Sequence, residues 1–331
     1  MRKHTATWTF GGGRVARRFW PGLLGSLLAA TAIIASAGCG GSTEADSPAS
    51  SGAALTASGP AAQVATVRLE GVGPVDTRPY QYKVPSRYDR TKPTPLVILL
   101  HGFGASGSLQ EIYFNFSALA EKQTFLYAYP DGKQDPALLR YWNAMEWCCD
   151  FFKSGVDDVA YIKAIIDDMS GKFNVDPKRV FIVGHSNGGF MAHRIGCELS
   201  DKVAGVVSLA GAQWNDPTRC VPKQPIAVAQ IHGTLDVVIS YIGSLNYPSA
   251  HSTVNIWANR NRCTGALTYG GTNLDLDTLL LGAETTVERY TGCPAAGPVE
   301  LWSIQGGSHL PAITSHFTSS IYEFLMAHPK P

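Results

Sequence analysis

The pentapeptide Gly184-His185-Ser186-Asn187-Gly188 stands between a β-branched and aromatic run, Arg179-Val180-Phe181-Ile182-Val183, and a stretch with apolar residues at helical spacing, Gly189-Phe190-Met191-Ala192-His193-Arg194-Ile195-Gly196. Strand, sharp turn and helix in that order leave little freedom for the chain around them. A serine at the apex of such a turn has its Oγ pushed out of the sheet, and only small neighbours let the backbone pass so close. The pattern predicts a nucleophile elbow. With 34 glycines in 331 residues a bare G-x-S-x-G arises easily by chance. The flanking strand and helix are what separate this one from a glycine-rich turn with an inert serine.

The elbow belongs to a longer alternation. The apolar runs 96–100, 125–129, 180–183, 203–209, 226–231 and Val299–Ile304 lack polar alternation and read as strands buried on both faces. Between them lie helical patterns, clearest over 158–169, where Val159, Ile162, Ile165, Ile166 and Met169 share one face. Helices are also predicted over 187–199 and 315–327, and an antiparallel hairpin over 64–69 and 80–84. Strands alternating with helices imply an α/β fold, a mostly parallel doubly wound sheet with helices on both faces and its site at the C-terminal strand ends. The Pro-, Gly- and Asn-rich segments 132–155 and 264–298 read as loops that wall a pocket.

A serine at an elbow needs a base, and the base needs an acid to orient it. After strand 226–231 comes His232-Gly233-Thr234-Leu235-Asp236, and after Val299–Ile304 comes Gln305-Gly306-Gly307-Ser308-His309. Nucleophile, acid and base in the order Ser186, Asp236, His309, each on a post-strand loop, match the order this kind of sheet requires. His316 is a weaker base candidate because it falls in the closing helix. His185 is expected to point away from the nucleophile, and His101 and His232 to brace turns. Asp157 and Asp158 read as caps of the following helix. For an oxyanion, the backbone N–H of Asn187 and that of Phe103, with Gly104 as the alternative to Phe103, are the expected donors. Trp142 and Trp214 are candidate aromatic pocket walls, with core packing the competing use.

The N-terminus carries Arg2, Lys3, Arg14, Arg17 and Arg18, then an apolar stretch over 23–37 too short to span a bilayer comfortably, then small residues up to Cys39. Residues 1–38 are read as an export signal. Ser36-Ala37-Gly38-Cys39 resembles a lipobox in which Cys39 becomes lipidated, although Ser stands where Leu is usual; a plain cleaved signal is the alternative. Removing Cys39 from the seven cysteines leaves Cys148, Cys149, Cys197, Cys220, Cys263 and Cys293, an even set suited to an oxidising compartment. Neighbourhood in the expected fold favours Cys197–Cys220 and Cys263–Cys293 and leaves a strained vicinal Cys148–Cys149 bridge. A zinc site is the competing use, without a C-x-x-C or H-E-x-x-H pattern to support it. Residues 39–63, Ala, Ser, Gly and Pro with almost nothing large, form a flexible tether with a reach of roughly 25–30 Å. Residues 64–331 fit one catalytic domain. A formal net charge of +1, with no basic cluster beyond the signal, gives nucleic-acid binding no support.

In Leu100-His101-Gly102-Phe103-Gly104-Ala105-Ser106, Tyr129-Pro130-Asp131-Gly132, Trp142-Asn143 followed by Cys148-Cys149, Val156-Asp157-Asp158-Val159, the elbow with Gly189, His232-Gly233-Thr234-Leu235-Asp236 and Gly306-Gly307-Ser308-His309, the chain resembles the polyhydroxybutyrate-depolymerase-like and feruloyl-esterase group of α/β-hydrolases, which overlaps carbohydrate esterase family one. The resemblance covers most of residues 66–331. It implies hydrolysis of carboxylic esters, feruloyl and acetyl groups on plant polysaccharide or short hydroxyalkanoate esters, with Ser186 as nucleophile, Asp236 as acid and His309 as base. The chain departs at Leu310: His309-Leu310-Pro311 stands where the family has a Trp-Pro pair after the histidine. A lost aromatic there would widen the pocket or weaken stacking on a flat acyl group. The expectation is a monomeric serine carboxylesterase on an ester substrate, polymeric or soluble, with no metal or organic cofactor and with membrane contact only through the N-terminal lipid. It would be an exported lipoprotein, or secreted if Cys39 is unmodified. A peptidase or thioesterase on the same residues, or a non-catalytic surface-binding lipoprotein, are the alternatives.

Overall fold

The computed structural model describes residues 62–68 and 77–331. The expected export signal, Cys39 and nearly all of the tether lie outside the described residues. The described residues make one compact unit. It begins with β1 (Gln63–Arg68) paired antiparallel to β2 (Thr77–Lys83), the hairpin the sequence predicts. Then come β3 (Thr94–Leu100), α1 (Gly107–Phe114), α2 (Phe116–Gln123), β4 (Leu126–Pro130) and a two-stranded ribbon of β5 (Lys133–Gln134) and β6 (Arg140–Tyr141). The centre of the fold follows, with α3 (Asp158–Lys172), β7 (Val175–His185), α4 (Asn187–Glu198) and β8 (Gly205–Leu209). It closes with β9 (Ala227–Gly233), α5 (Ala250–Arg260), β10 (Leu267–Leu274), β11 (Thr285–Tyr290), β12 (Val299–Ile304) and α6 (Ser315–Met326).

The main sheet runs β1-β2-β4-β3-β7-β8-β9-β12-β11-β10. Its six strands from β4 to β12 pair in parallel, and antiparallel strands extend it at both edges. Every residue of β3 is buried, because successive side chains enter different cores. Leu96, Ile98 and Leu100 join the core under α3, α4 and α5, whereas Val97 and Leu99 join Phe114, Phe116, Phe317 and Ile321 under α1, α2 and α6. Two-sided burial is why these strands carry no polar alternation.

Two segments differ from the sequence reading. The stretch 264–298 is not all loop. It contains β10 and β11, which add two antiparallel strands outside β12. Gly270 and Gly271 lie at an irregularity inside β10, where the register shifts between Tyr269 and Asn273. The region 107–123 also forms two helices that hydrophobic periodicity did not reveal. Each is eight residues long, and Asn115, in the left-handed region at φ 55°, ends one and starts the other. Asn tolerates that conformation better than most side chains.

Among the described residues there are three disulfide bonds, Cys148–Cys149, Cys197–Cys220 and Cys263–Cys293. The second ties α4 to the loop after β8. The third ties the segment after α5 to the turn after β11.

Candidate active site

At the C-terminal end of β7 the chain turns into α4 through Ser186, whose φ of 52° and ψ of −120° no unstrained serine adopts. The turn is over-determined by its surroundings. The Ser186 N–H donates to the Leu209 carbonyl at 2.8 Å, and the Ser186 carbonyl accepts from the Phe190 N–H at 3.0 Å. A Cβ on Gly184 would lie 2.0 Å from the Gly188 carbonyl oxygen, and one on Gly188 would lie 2.2 Å from that of Leu100. The two glycines of the pentapeptide are therefore steric requirements of the turn.

The strain sets Ser186 Oγ 2.9 Å from His309 Nε2, and His309 Nδ1 lies 2.8 Å from Asp236 Oδ2. Residues 50 and 73 positions apart in sequence are drawn together because β7, β9 and β12 end at the same edge of the parallel sheet, with only β8 between β7 and β9. The loops after β9 and β12 are also stitched to each other: the Leu235 N–H donates to the Gly307 carbonyl at 2.9 Å, and the Gly306 N–H to Thr234 Oγ1 at 2.8 Å. The second carboxylate oxygen of Asp236 accepts from the Val238 and Ile239 N–H groups at 2.8 and 2.9 Å. Burial pushes the Asp236 carboxyl up. Hydrogen bonds from His232 and His309, the charge of His309 and the Ile239 N–H outweigh it and hold the group well below the usual carboxylate range. A serine, an imidazole and an ionised carboxylate in line can move a proton off Oγ as it attacks an acyl carbon.

The competing residues lie elsewhere. Asp157 caps α3, accepting from the Ala160 N–H at 2.9 Å, and Asp158 is buried beside Arg78 and Asn143. His316 is exposed on α6. His101 braces a turn: its Nε2 accepts from the Gly132 N–H at 2.8 Å. His185, expected to point away from the nucleophile, instead packs on the base. Its Nε2–H donates to the His309 carbonyl at 3.1 Å and the two rings are 5.2 Å apart. Burial, with the His309 charge adding to it, pushes the His185 pKa down to about 3, so the ring is neutral.

Of the expected oxyanion donors, Asn187 directly follows the serine and Phe103 lines the cavity beside it. The Gly104 N–H, the alternative, is committed to the Arg140 carbonyl at 2.8 Å. Among the described residues no acceptor meets the N–H of Phe103 or of Asn187. One side chain ties their two loops together. Asn187 Oδ1 accepts from the Trp142 N–H at 2.7 Å, and its Nδ2 donates to the Trp142 carbonyl at 2.9 Å. The Trp142 indole in turn donates to the His101 carbonyl at 3.0 Å.

That arrangement corrects the reading of Trp142 as a pocket wall. The indole is fully buried in the core, where its N–H is satisfied, and it presents no face to a ligand. Trp214 is likewise buried, with its Nε1 3.3 Å from Glu146 Oε2, and it does not line the cavity at Ser186. Leu310 does line that cavity. The space is about 250 Å³, and Phe103, Leu109, Tyr113 and His185 enclose it beside Ser186 and His309. Tyr113 was missed because it belongs to the short helix α1. Its hydroxyl donates to the Pro311 carbonyl at 2.6 Å, which fixes the segment following His309. Among the described residues no group of three or more His, Cys, Asp or Glu side chains could hold a metal ion.

Residues 87–266 match the profile of the phospholipase/carboxylesterase family. Feruloyl esterase B of Piromyces equi is 29% identical over 241 residues, which are 69% of this chain and 41% of that protein. The chain therefore spans less than half the length of that relative. Feruloyl esterase D of Neurospora crassa is 26% identical over 264 residues, covering 76% of this chain and 78% of its own. Among solved structures, an acetyl xylan esterase from Aspergillus awamori superposes with a TM-score of 0.58 at 13% identity, covering 80% of this chain and 99% of that one. The shared architecture is the α/β-hydrolase fold that the resemblance implies, with the mostly parallel doubly wound sheet that the strand–helix alternation predicts.

Proposed function

Because the chain belongs to the phospholipase/carboxylesterase family, we propose that it is a serine carboxylesterase in which Ser186 is the nucleophile, His309 the base and Asp236 the acid that orients it. The observation that carries this reading is the unbroken line from Ser186 Oγ through His309 to Asp236, at 2.9 and 2.8 Å, beside a cavity. As Oγ bonds to the ester carbon, its proton passes to His309 Nε2 and the carbonyl electrons collect on oxygen. The N–H groups of Phe103 and Asn187 stabilise that oxyanion; losing one such donor costs on the order of 10²–10³ in turnover. Collapse breaks the bond to the alcohol, which leaves with the proton from His309. Water then attacks the acyl-enzyme by the same route and frees the acid. A serine-reactive phosphonate should label the protein once and not label Ser186→Ala; labelling that persists in the variant removes the nucleophile assignment.

The substrate part of the proposal is an ester of a short or aromatic acid: feruloyl or acetyl groups on plant polysaccharide, or hydroxyalkanoate esters. The cavity is smaller than the roughly 300–1,000 Å³ of drug-sized sites, which favours one small acyl group. Around it the surface is apolar and open. Leu109 and Leu310 line the cavity and are exposed, and exposed Phe151 packs its ring against Phe103 at 5.5 Å. Such a rim suits an alcohol portion that continues beyond the cavity, as in a polymer. Hydrolysis of feruloyl, acetyl-xylan and hydroxybutyrate esters side by side separates the three classes.

Three disulfides fit an oxidising compartment. The proposal accordingly includes export through residues 1–38, a lipid on Cys39, the tether 39–63 and a monomeric catalytic domain over 64–331. Mass spectrometry of the mature N-terminus tests the anchor, since an unmodified Cys39 removes it.

A further inference from the structure

Asp236 Oδ2, which meets His309, also faces a second imidazole. His232 ends four residues before it, and its Nε2 lies 3.3 Å from that oxygen and 2.8 Å from the Ile239 carbonyl. Behind His232 a row of buried polar groups runs through the core toward α5. His232 Nδ1 is 3.2 Å from Gln230 Nε2, and Gln230 Oε1 is 2.9 Å from His193 Nε2. His193 Nδ1 is 2.9 Å from the Trp257 indole nitrogen. Gln230 and His232 alternate on β9 and so face the same side, toward α4 and α5. None of Trp257, His193, Gln230 and His232 is more than 1% exposed.

Only one arrangement of hydrogens satisfies this row. An indole N–H donates and never accepts. His193 must therefore accept at Nδ1 and, being neutral, donate from Nε2 to Gln230 Oε1. Burial, its largest influence, pushes the His193 pKa down to about 4, which keeps the ring neutral. Gln230 Nε2 lies 2.9 Å from the Gly211 carbonyl, which fixes that end of the amide as the nitrogen. Its other hydrogen goes to His232 Nδ1. His232 then carries its hydrogen on Nε2, aimed at Ile239 and Asp236. In the opposite tautomer a lone pair would face two oxygens, and the carboxylate would be pushed off its line with His309.

We propose that His232 is a positioning residue for Asp236, and that Trp257, His193 and Gln230 lock it from within the core in the tautomer that donates to the carboxylate. The proposal rests on the reading of Ser186, His309 and Asp236 as the reacting line. It places an N–H 3.3 Å from the same carboxylate oxygen that meets the base, which holds the carboxylate ionised and in place while the His309 proton moves.

Nitrogen-15 spectra of the histidine-labelled full protein at neutral pH test the lock without any turnover. Both His193 and His232, identified by the loss of each signal in His193→Gln and His232→Gln, should be neutral with hydrogen on Nε2. An Nδ1–H tautomer in either ring, or a charged His232, overturns the lock. Turnover of variants tests the positioning. His232→Leu should lower kcat about 10- to 100-fold, the loss of one hydrogen bond to a charged group, with KM changed less than about twofold. His232→Gln, which returns an amide N–H near the same point, should recover at least about half of that loss on a logarithmic scale. An unchanged kcat in His232→Leu, or a Gln variant no better than Leu, overturns the proposal. If His232→Leu does not fold, the native spectra still decide the tautomers and the Gln variant still reports on kcat. Phosphonate labelling of Ser186 in the same samples tells failure of this proposal from failure of the nucleophile assignment.

Discussion

The Asn187 side chain holds both backbone groups of Trp142, accepting from its N–H at 2.7 Å and donating to its carbonyl at 2.9 Å. Asn187 follows the nucleophile and Trp142 reaches the His101 carbonyl, so this clamp joins the elbow to the loop that carries Phe103. Both proposed oxyanion donors are backbone N–H groups. Their spacing therefore depends on the clamp, not on side chains of their own. Asn187→Ala keeps its own N–H and removes the clamp. We expect kcat to fall about 10- to 100-fold and the domain to lose roughly 1–3 kcal/mol, the range for unpairing buried polar groups. Turnover of a small activated ester and a urea melt check it, and a kcat within twofold of wild type would show the donors to be held by something else.

Three of the buried imidazoles, His101, His185 and His193, set the response to acid. Burial, with smaller influences, pushes His101 down to about 4, His185 to about 3 and His193 to about 4. In the unfolded chain each takes up a proton near pH 6.5. Below that pH the unfolded state therefore binds more protons than the folded one, and stability falls as pH falls, with full stability present above it. Near pH 5 the slope approaches roughly 4 kcal/mol per pH unit, close to three protons at 1.36 kcal/mol each, and it eases as pH 4 is reached and the rings begin to charge in the folded state. Asp236 adds to the loss at lower pH, because its lowered carboxyl pKa stabilises the fold only while it stays ionised. Urea melts from pH 8 to pH 4 measure the slope; a flat profile to pH 4.5 would contradict the neutral burial of these rings.

The loops closed by Cys197–Cys220 and Cys263–Cys293 span 23 and 30 residues. Loop-closure entropy gives each about 3–4 kcal/mol of stabilisation. Cys197→Ser with Cys220→Ser should lower unfolding free energy by that order and leave kcat near wild type, since neither cysteine touches the cavity at Ser186. A stability loss under about 1 kcal/mol would mean that the unfolded chain is restrained there by other means.

The parts of this site that were legible in the sequence are those fixed by local chemistry. An elbow needs its glycines, and post-strand loops bring Asp236 and His309 to Ser186 whatever the intervening segments do. The apolar runs of β3, β7 and β9 were visible because two-sided burial removes polar alternation. By contrast, α1 and α2 are short helices joined at Asn115, too brief for periodicity to emerge, so Tyr113 and Leu109 were not placed at the cavity. Strand β10 reads as loop because the glycines at its internal irregularity look like turn residues. Trp142, His185 and the row from Trp257 to His232 were opaque for a different reason. Their partners come from other strands and helices, and no spacing along the chain encodes such contacts.

Leu310 controls the clearest test of substrate class. It is 61% exposed and stands beside His309 at the cavity, at the position where the family resemblance leads one to expect a tryptophan. Phe103 and Tyr113 line the same space, so a flat acyl group already has aromatic surface on one side. A leucine at the rim leaves that surface open. Leu310→Trp would add a ring at the mouth without entering the line of hydrogen bonds, because the side chain takes no part in holding His309. A stacked ring contributes on the order of 0.5–1.5 kcal/mol beyond the area it covers. The ratio of kcat/KM for a feruloyl ester over an acetyl ester should therefore rise about 3- to 10-fold, with acetyl turnover unchanged or reduced by crowding. An equal change for both esters would show that Leu310 sets access to the cavity and not the choice of acyl group.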